Sequence, residues 1–236
     1  MLTWLERDDS FPPVDCALKN PNGLLCAGAD LSVARLLAAY RGGIFPWYSG
    51  DEPVLWWSPD PRMVLFCEEF KPTRSLAKSV RNKGYRVTVD GCFEEILSCC
   101  SRTRKDGAGT WLGRDMRKAY LALHRAGHAH SFETWLGGEL VGGLYGVALG
   151  RAFYGESMFA RATDASKVAL AALVETLRAR GFPMIDCQMR TPLLASLGAR
   201  EIPRREFLRR LQALVNYPEP AAPWREARRE AHVQAE

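Results

Sequence analysis

Two carboxylates in this chain, Glu156 and Asp186, fall inside stretches whose neighbours are mostly apolar. Glu156 sits in AFYGESMF over 152–159, and Asp186 in MIDCQ over 184–188. Both stretches read as strands entering a buried sheet. A buried carboxylate needs a partner or a chemical task, such as proton handling or holding a cation. The chemistry is therefore expected here. The same region supplies the scaffold that would hold the two groups. An alternating run from 131 to 149 turns at Gly137-Gly138 as a hairpin would. Residues 164–180 place Val168, Leu170, Ala171, Leu173, Val174 and Leu177 near the helical period, with Thr163 or Asp164 as N-cap and Gly181-Phe182-Pro183 as the stop.

The bulk properties are those of a globular protein. A chain of 236 residues is long enough for one large domain or two small ones. Its 47% hydrophobic and 25% charged content is ordinary, and a net charge of +5 permits a polyanionic partner without requiring one. The opening MLTWLERDDS is charged early, so no signal peptide is expected, and no apolar run reaches membrane-spanning length. Seven cysteines without a C-x-x-C pair read as reduced thiols of a cytosolic protein. No metal is expected, because the histidines at 124, 128, 130 and 232 are not spaced as ligands with cysteines.

Along the chain, Ser32 caps a helix with an apolar stripe at Val33, Leu36, Leu37 and Tyr40, ended by Gly42-Gly43. An aromatic cluster follows at 44–48 and 55–57, either a small core or a platform for a base or apolar side chain. From 71 to 86 there are six cations and no acid, and Arg74, Lys78 and Arg81 share a helix face. That face either meets phosphates or is simply solvated. A strand over 85–89, a helix over 93–100 and a charged loop over 101–109, a candidate lid, precede Trp111 and a helix over 115–127. Thr191-Pro192 reads as a turn, and Pro203 opens a last helix. The plan is α+β: a small N-terminal α/β domain over 1–70, a mixed-sheet domain over 71–218 and a flexible tail over 219–236. A helix packed on a mixed sheet, with a hairpin before it, resembles the acetyltransferase-type (GNAT-like) fold.

A set of longer stretches carries a more specific resemblance. They are NGLLCAGADLSVARLLAAYRGGIFPWYS, LWWSPDPR, GTWL, AYLALHRAGHAHSFETW, LVGGLYGV, FYGESMF, DASKVAL, IDCQ and SLGAREIPRREFL, spread from about residue 20 to 210. Together they resemble the leucyl/phenylalanyl-tRNA–protein transferase family. The resemblance implies transfer of Leu or Phe from leucyl-tRNA or phenylalanyl-tRNA to proteins with N-terminal Arg or Lys, marking them for N-degron degradation. It also implies a cytoplasmic monomer with no cofactor, since the donor ester is already activated.

Carried over residue by residue, the resemblance makes Asp186 and Gln188 the catalytic pair. Two apart on one strand, they would share a face, with Asp186 bonded to the Gln188 amide and Gln188 guiding the amine. Read from the residues alone, the two merely satisfy buried polar groups equally well. Glu156 would bind the acceptor's N-terminal residue. Leu144, Phe153, Met158, Leu170 and Ile185 would form the aminoacyl pocket, all of them also ordinary core types. Tyr40, Trp47, Trp111 and Tyr120 would surround the terminal adenosine, and Arg74, Lys78, Arg81 and Lys83 the tRNA phosphates. Leu144 stands where relatives often have Met, and Leu193 where many have His. Two rivals remain: an acetyl-CoA-dependent N-acetyltransferase, and a non-catalytic RNA-binding module. Against the first, FARATDASK lacks the glycines that cradle a pyrophosphate.

Overall fold

A computed structural model of the chain describes residues 2–50, 52–102, 112–218 and Trp224. The chain begins with β1 (Thr3–Leu5) and β2 (Leu24–Gly28). Helix α1 (Val33–Arg41) follows, with the Ser32 hydroxyl accepting from the Arg35 N–H as its cap. Two short strands, β3 (Phe45–Pro46) and β4 (Leu55–Trp57), complete a four-stranded sheet of order β1-β2-β4-β3.

The second sheet begins with β5 (Arg62–Phe66), α2 (Arg74–Asn82) and β6 (Arg86–Val89). Next come α3 (Phe93–Arg102), α4 (Arg114–Arg125), β7 (Ala129–Leu136), β8 (Glu139–Leu149) and β9 (Ala152–Ala160). Helix α5 (Ala165–Ala179) crosses over to β10 (Met184–Gln188), followed by α6 (Pro192–Ser196), β11 (Arg200–Ile202) and α7 (Arg204–Val215). The seven-stranded order is β11-β5-β10-β9-β8-β7-β6, antiparallel except for the parallel pair β9 and β10. This is the mixed-sheet α+β architecture the sequence implied.

Three local expectations need correction. β5 belongs to the seven-stranded sheet, so the junction between the sheets lies at 58–61 and not at residue 70. Asp164 adopts a left-handed conformation (φ 66°) and makes no capping bond; its carboxylate instead accepts from Ser79 and Lys167, because α2 packs there. Thr191-Pro192 opens the short helix α6, with the Thr191 hydroxyl as its cap. The tail expectation over 219–236 lies outside the described residues except for Trp224, which stacks on His130 at 4.1 Å. The lid expectation over 101–109 also falls outside them beyond Arg102, which ends α3.

One face of the large sheet packs on α5, with Val168, Leu173 and Leu177 fully enclosed. Gly142 on β8 lets α5 approach, since a Cβ there would stand 2.5 Å from the Ala165 Cβ. The other face joins α1, α3, α4 and α7 in a core continuous with the four-stranded sheet. Tyr40, Trp56, Tyr120, Tyr145, Tyr154 and Phe207 fill it.

Candidate active site

β9 and β10 pair side by side only at Phe153 with Ile185 and Tyr154 with Asp186. Immediately beyond, both strands bulge. On β9, Ser157 pairs with Tyr145 and Gly155 with Gly146, which leaves Glu156 as the extra residue. On β10, the partners of Asp186 and Gln188 are consecutive residues of β5, which leaves Cys187 extra and puts Gln188 at φ 55°. Bulges bend a strand and re-aim its side chains. Here they sit at one level of neighbouring strands, and a cleft of about 440 Å³ lies between them.

Glu156 is fixed at the polar side of this cleft. The Tyr40 hydroxyl donates to its Oε1 at 2.8 Å, and the Tyr120 hydroxyl to its Oε2 at 2.6 Å. The two phenol oxygens stand 2.9 Å from each other. Two hydroxyl protons must serve three oxygen–oxygen contacts when Glu156 is ionised; protonation of Glu156 supplies the third. Burial pushes the Glu156 carboxyl up to about 7, the Asp186 charge adds to that, and the tyrosine hydrogen bonds with Arg62 work against it. Gln188 Nε2 reaches Glu156 Oε1 at 3.4 Å, a long contact that turns the amide carbonyl away from Glu156.

Asp186 is engaged differently from the expectation. Arg62 donates to it through Nε (2.8 Å) and Nη2 (2.7 Å), and neither side chain reaches solvent. The Arg62 guanidinium lies against the rings of Phe45 and Phe207, at 4.9 and 4.7 Å. Asp186 does accept a hydrogen bond from Gln188, but from its backbone N–H at 3.0 Å, not from its side-chain amide. The reason is the buried guanidinium, which takes the carboxylate, and the bulge, which breaks the two-residue alternation. Asp186 does not line the cleft; its carboxylate holds the Gln188 backbone N–H. Sequence reading missed Arg62; the signal was an arginine opening the otherwise apolar strand RMVLF.

Leu144, Met158, Leu170 and Ile185, expected to form the aminoacyl pocket, all line the cleft, joined by Leu173, Leu193 and Leu194. Phe153 does not. It shares the α5-side face with its partner Ile185 but is fully enclosed, its ring beneath Gly146. Trp47 also lines the cleft and packs edge-on to Trp57 at 5.4 Å. Tyr40 and Tyr120 were expected beside an adenosine; neither lines the cleft, and both hydroxyls are bonded to Glu156. They serve Glu156 instead. Trp111 lies outside the described residues. Arg74, Lys78, Arg81 and Lys83 project to solvent from α2 and its end, and none forms an ion pair among the described residues.

Comparison with known proteins adds to this geometry. The family model described as leucyl/phenylalanyl-tRNA protein transferase matches residues 64–212, and the model of its N-terminal domain matches 29–60. The chain belongs to this family. Proteins named leucyl/phenylalanyl-tRNA–protein transferase from Nitrosospira multiformis and Thiobacillus denitrificans are 57% and 58% identical to it. The first match covers 95% of this chain and 97% of the relative; the second covers 91% and 94%. Membership makes the chain an aminoacyltransferase. The acetyl-CoA rival is further weakened, because the Asp164 carboxylate stands at the α5 N-terminus where a pyrophosphate would need open N–H groups. The family departure Leu193 faces the cleft, so its effect falls on the shape and polarity of the apolar wall.

Two measurements test this site. Asp186→Ala leaves the Arg62 charge buried and unpaired, with an expected loss of about 3–5 kcal/mol in urea unfolding; a wild-type midpoint would refute the structural role of the pair. Glu156 holds its proton more tightly folded than unfolded, so its contribution to stability declines as pH rises from about 4.5 to about 7. The Tm of Glu156→Gln should therefore decline less than that of wild type across this window.

Proposed function

We propose that this chain transfers leucine or phenylalanine from its tRNA to the N-terminal Arg or Lys of an acceptor protein. The observation that carries the reading is the placement of Gln188. Its amide is tethered at Nε2 by Glu156, and no donor among the described residues reaches its Oε1. It stands where the apolar wall meets the polar side of the cleft.

The donor side chain enters between Leu144, Met158, Leu170 and Ile185. That wall has no charge, and Met158 gives it the pliancy to take either Leu or Phe. The ester carbonyl then projects toward Gln188. A protein α-amino group has a pKa of roughly 7.7–8.0, so about a tenth of it is neutral at pH 7 and no strong base is required. Gln188 Oε1 accepts a hydrogen bond from that amine and directs its lone pair at the carbonyl carbon. A carboxamide is too weakly basic to keep the proton, which passes to the leaving 3′ oxygen with the ribose 2′-hydroxyl as shuttle.

Glu156 meets the acceptor. A cationic N-terminal residue favours its ionised form, whereas an acceptor without that charge leaves it neutral and unengaged. Trp47, which lines the cleft, is free to receive the terminal adenosine. The exposed cations of α2 and its C-cap, Arg74, Lys78, Arg81 and Lys83, hold tRNA phosphates, which positions the donor without reading its sequence. We place the reaction in the cytoplasm, carried out by a monomer and feeding N-degron degradation. Among the described residues, no helix is long and apolar enough to cross a membrane.

The deciding experiment offers purified protein labelled leucyl-tRNA with an Arg-initiated or a Gly-initiated peptide. Label should move to the first and not the second; equal labelling of both, or of neither, would sink the reading. Replacing Arg74, Lys78 and Arg81 together by alanine should lower the slope of log K against log salt by about 2 to 3 for tRNA binding. An unaltered slope would make that helix face solvated only.

A further inference from the structure

Tyr145 lines the same cleft, and its fully enclosed hydroxyl has no hydrogen-bond partner among the described residues. Its neighbours Tyr40 and Tyr120 are both bonded to Glu156, so the contrast lies within one cluster of phenols. An interior hydroxyl left unpaired costs stability, and such groups persist where something outside the chain completes them. Building on the transfer reading above, we propose that the Tyr145 hydroxyl donates to the carbonyl oxygen of the aminoacyl ester and holds the negative charge that gathers there during attack.

Its position fits that role. Leu144, the preceding residue, belongs to the apolar wall, and Ser157, paired with Tyr145 across the strands, adjoins Glu156. A carbonyl lies one bond beyond the Cα whose side chain fills that wall, between the wall and the groups that meet the amine. The ring is held edge-on by Tyr120 at 5.2 Å and by Phe93 at 5.9 Å, so the donor is in place before substrate arrives. Burial, with the charges of Tyr120, Glu156 and Cys100 added, holds the phenol well above its ordinary pKa. Tyr145 therefore keeps its proton at neutral pH and has it to donate.

The electron count closes without a further reactant. The amine lone pair forms the C–N bond as the carbonyl π pair moves onto oxygen, where it accepts from Tyr145. Collapse restores the carbonyl and breaks the bond to the ribose 3′ oxygen, which receives the amine proton. Tyr145 donates a hydrogen bond throughout and never gives up its proton.

The test is Tyr145→Phe, which removes one oxygen and keeps the ring packing. The kcat for leucine transfer should fall about 10²–10³-fold, as for loss of one such donor, while KM for leucyl-tRNA stays within about twofold. Its Tm should equal or exceed that of wild type, because the lost hydroxyl has no hydrogen-bond partner among the described residues. Unchanged kcat, a loss carried by KM, or a lower Tm would each overturn the assignment. A wild-type protein that transfers nothing overturns the transfer reading itself; an active wild type beside an equally active variant overturns only the role of Tyr145.

Discussion

A guanidinium shut away from water is the constraint around which the cleft is arranged. Arg62 has no solvent contact, so its charge must be answered inside the protein, and Asp186 answers it through two short hydrogen bonds. Phe45 from the four-stranded sheet and Phe207 from α7 close over its faces. One side chain thus fixes three elements from distant parts of the sequence against β10. A buried ion pair contributes little net stability, but it tolerates few alternative arrangements. Here the arrangement it specifies includes the Gln188 backbone, hydrogen-bonded to the same carboxylate.

The polar side of the cleft works with neutral groups held at fixed orientation. Tyr40 and Tyr120 bind Glu156 from two different helices, and Glu156 in turn tethers the Gln188 amide. Because the surroundings are apolar, a dipole aimed at the reacting atoms acts far more strongly than it would in water. This suits a reaction whose donor is already activated and whose nucleophile needs placement more than deprotonation. The same burial that raises Glu156 to about 7 makes its charge responsive to what binds beside it.

Much of this was legible in the sequence, and each miss has a physical cause. The strands and helices around Glu156 and Asp186 followed from period and caps, and both carboxylates stood out because their neighbours were apolar. Leu144, Met158, Leu170 and Ile185 are brought together at one cleft. The Asp186–Gln188 contact departs from expectation because it rests on a bulge, where two-residue alternation fails, whereas Phe153 keeps the face of its partner Ile185 and lies too deep to reach the cleft. A bulge is set by the register between strands, which no single stretch encodes. Aromatic type does not reveal whether the ring or the hydroxyl is in use, and for Tyr40 and Tyr120 the hydroxyl is engaged by Glu156. Arg62 was overlooked for a related reason: a cation reads as exposed until its partner, 124 positions away, is known.

The walls of the cleft come from widely separated positions in the chain, from Trp47 through Tyr145 and Glu156 to Leu194. Contacts of such long sequence separation form slowly and late. A ribosome releases the N-terminal portion first, and that portion holds Arg62 and Tyr40 well before Asp186 and Glu156 exist. The growing polypeptide is therefore inert toward the charged adaptors crowded around its own birthplace, and acquires its reactive centre only once the final third has been made.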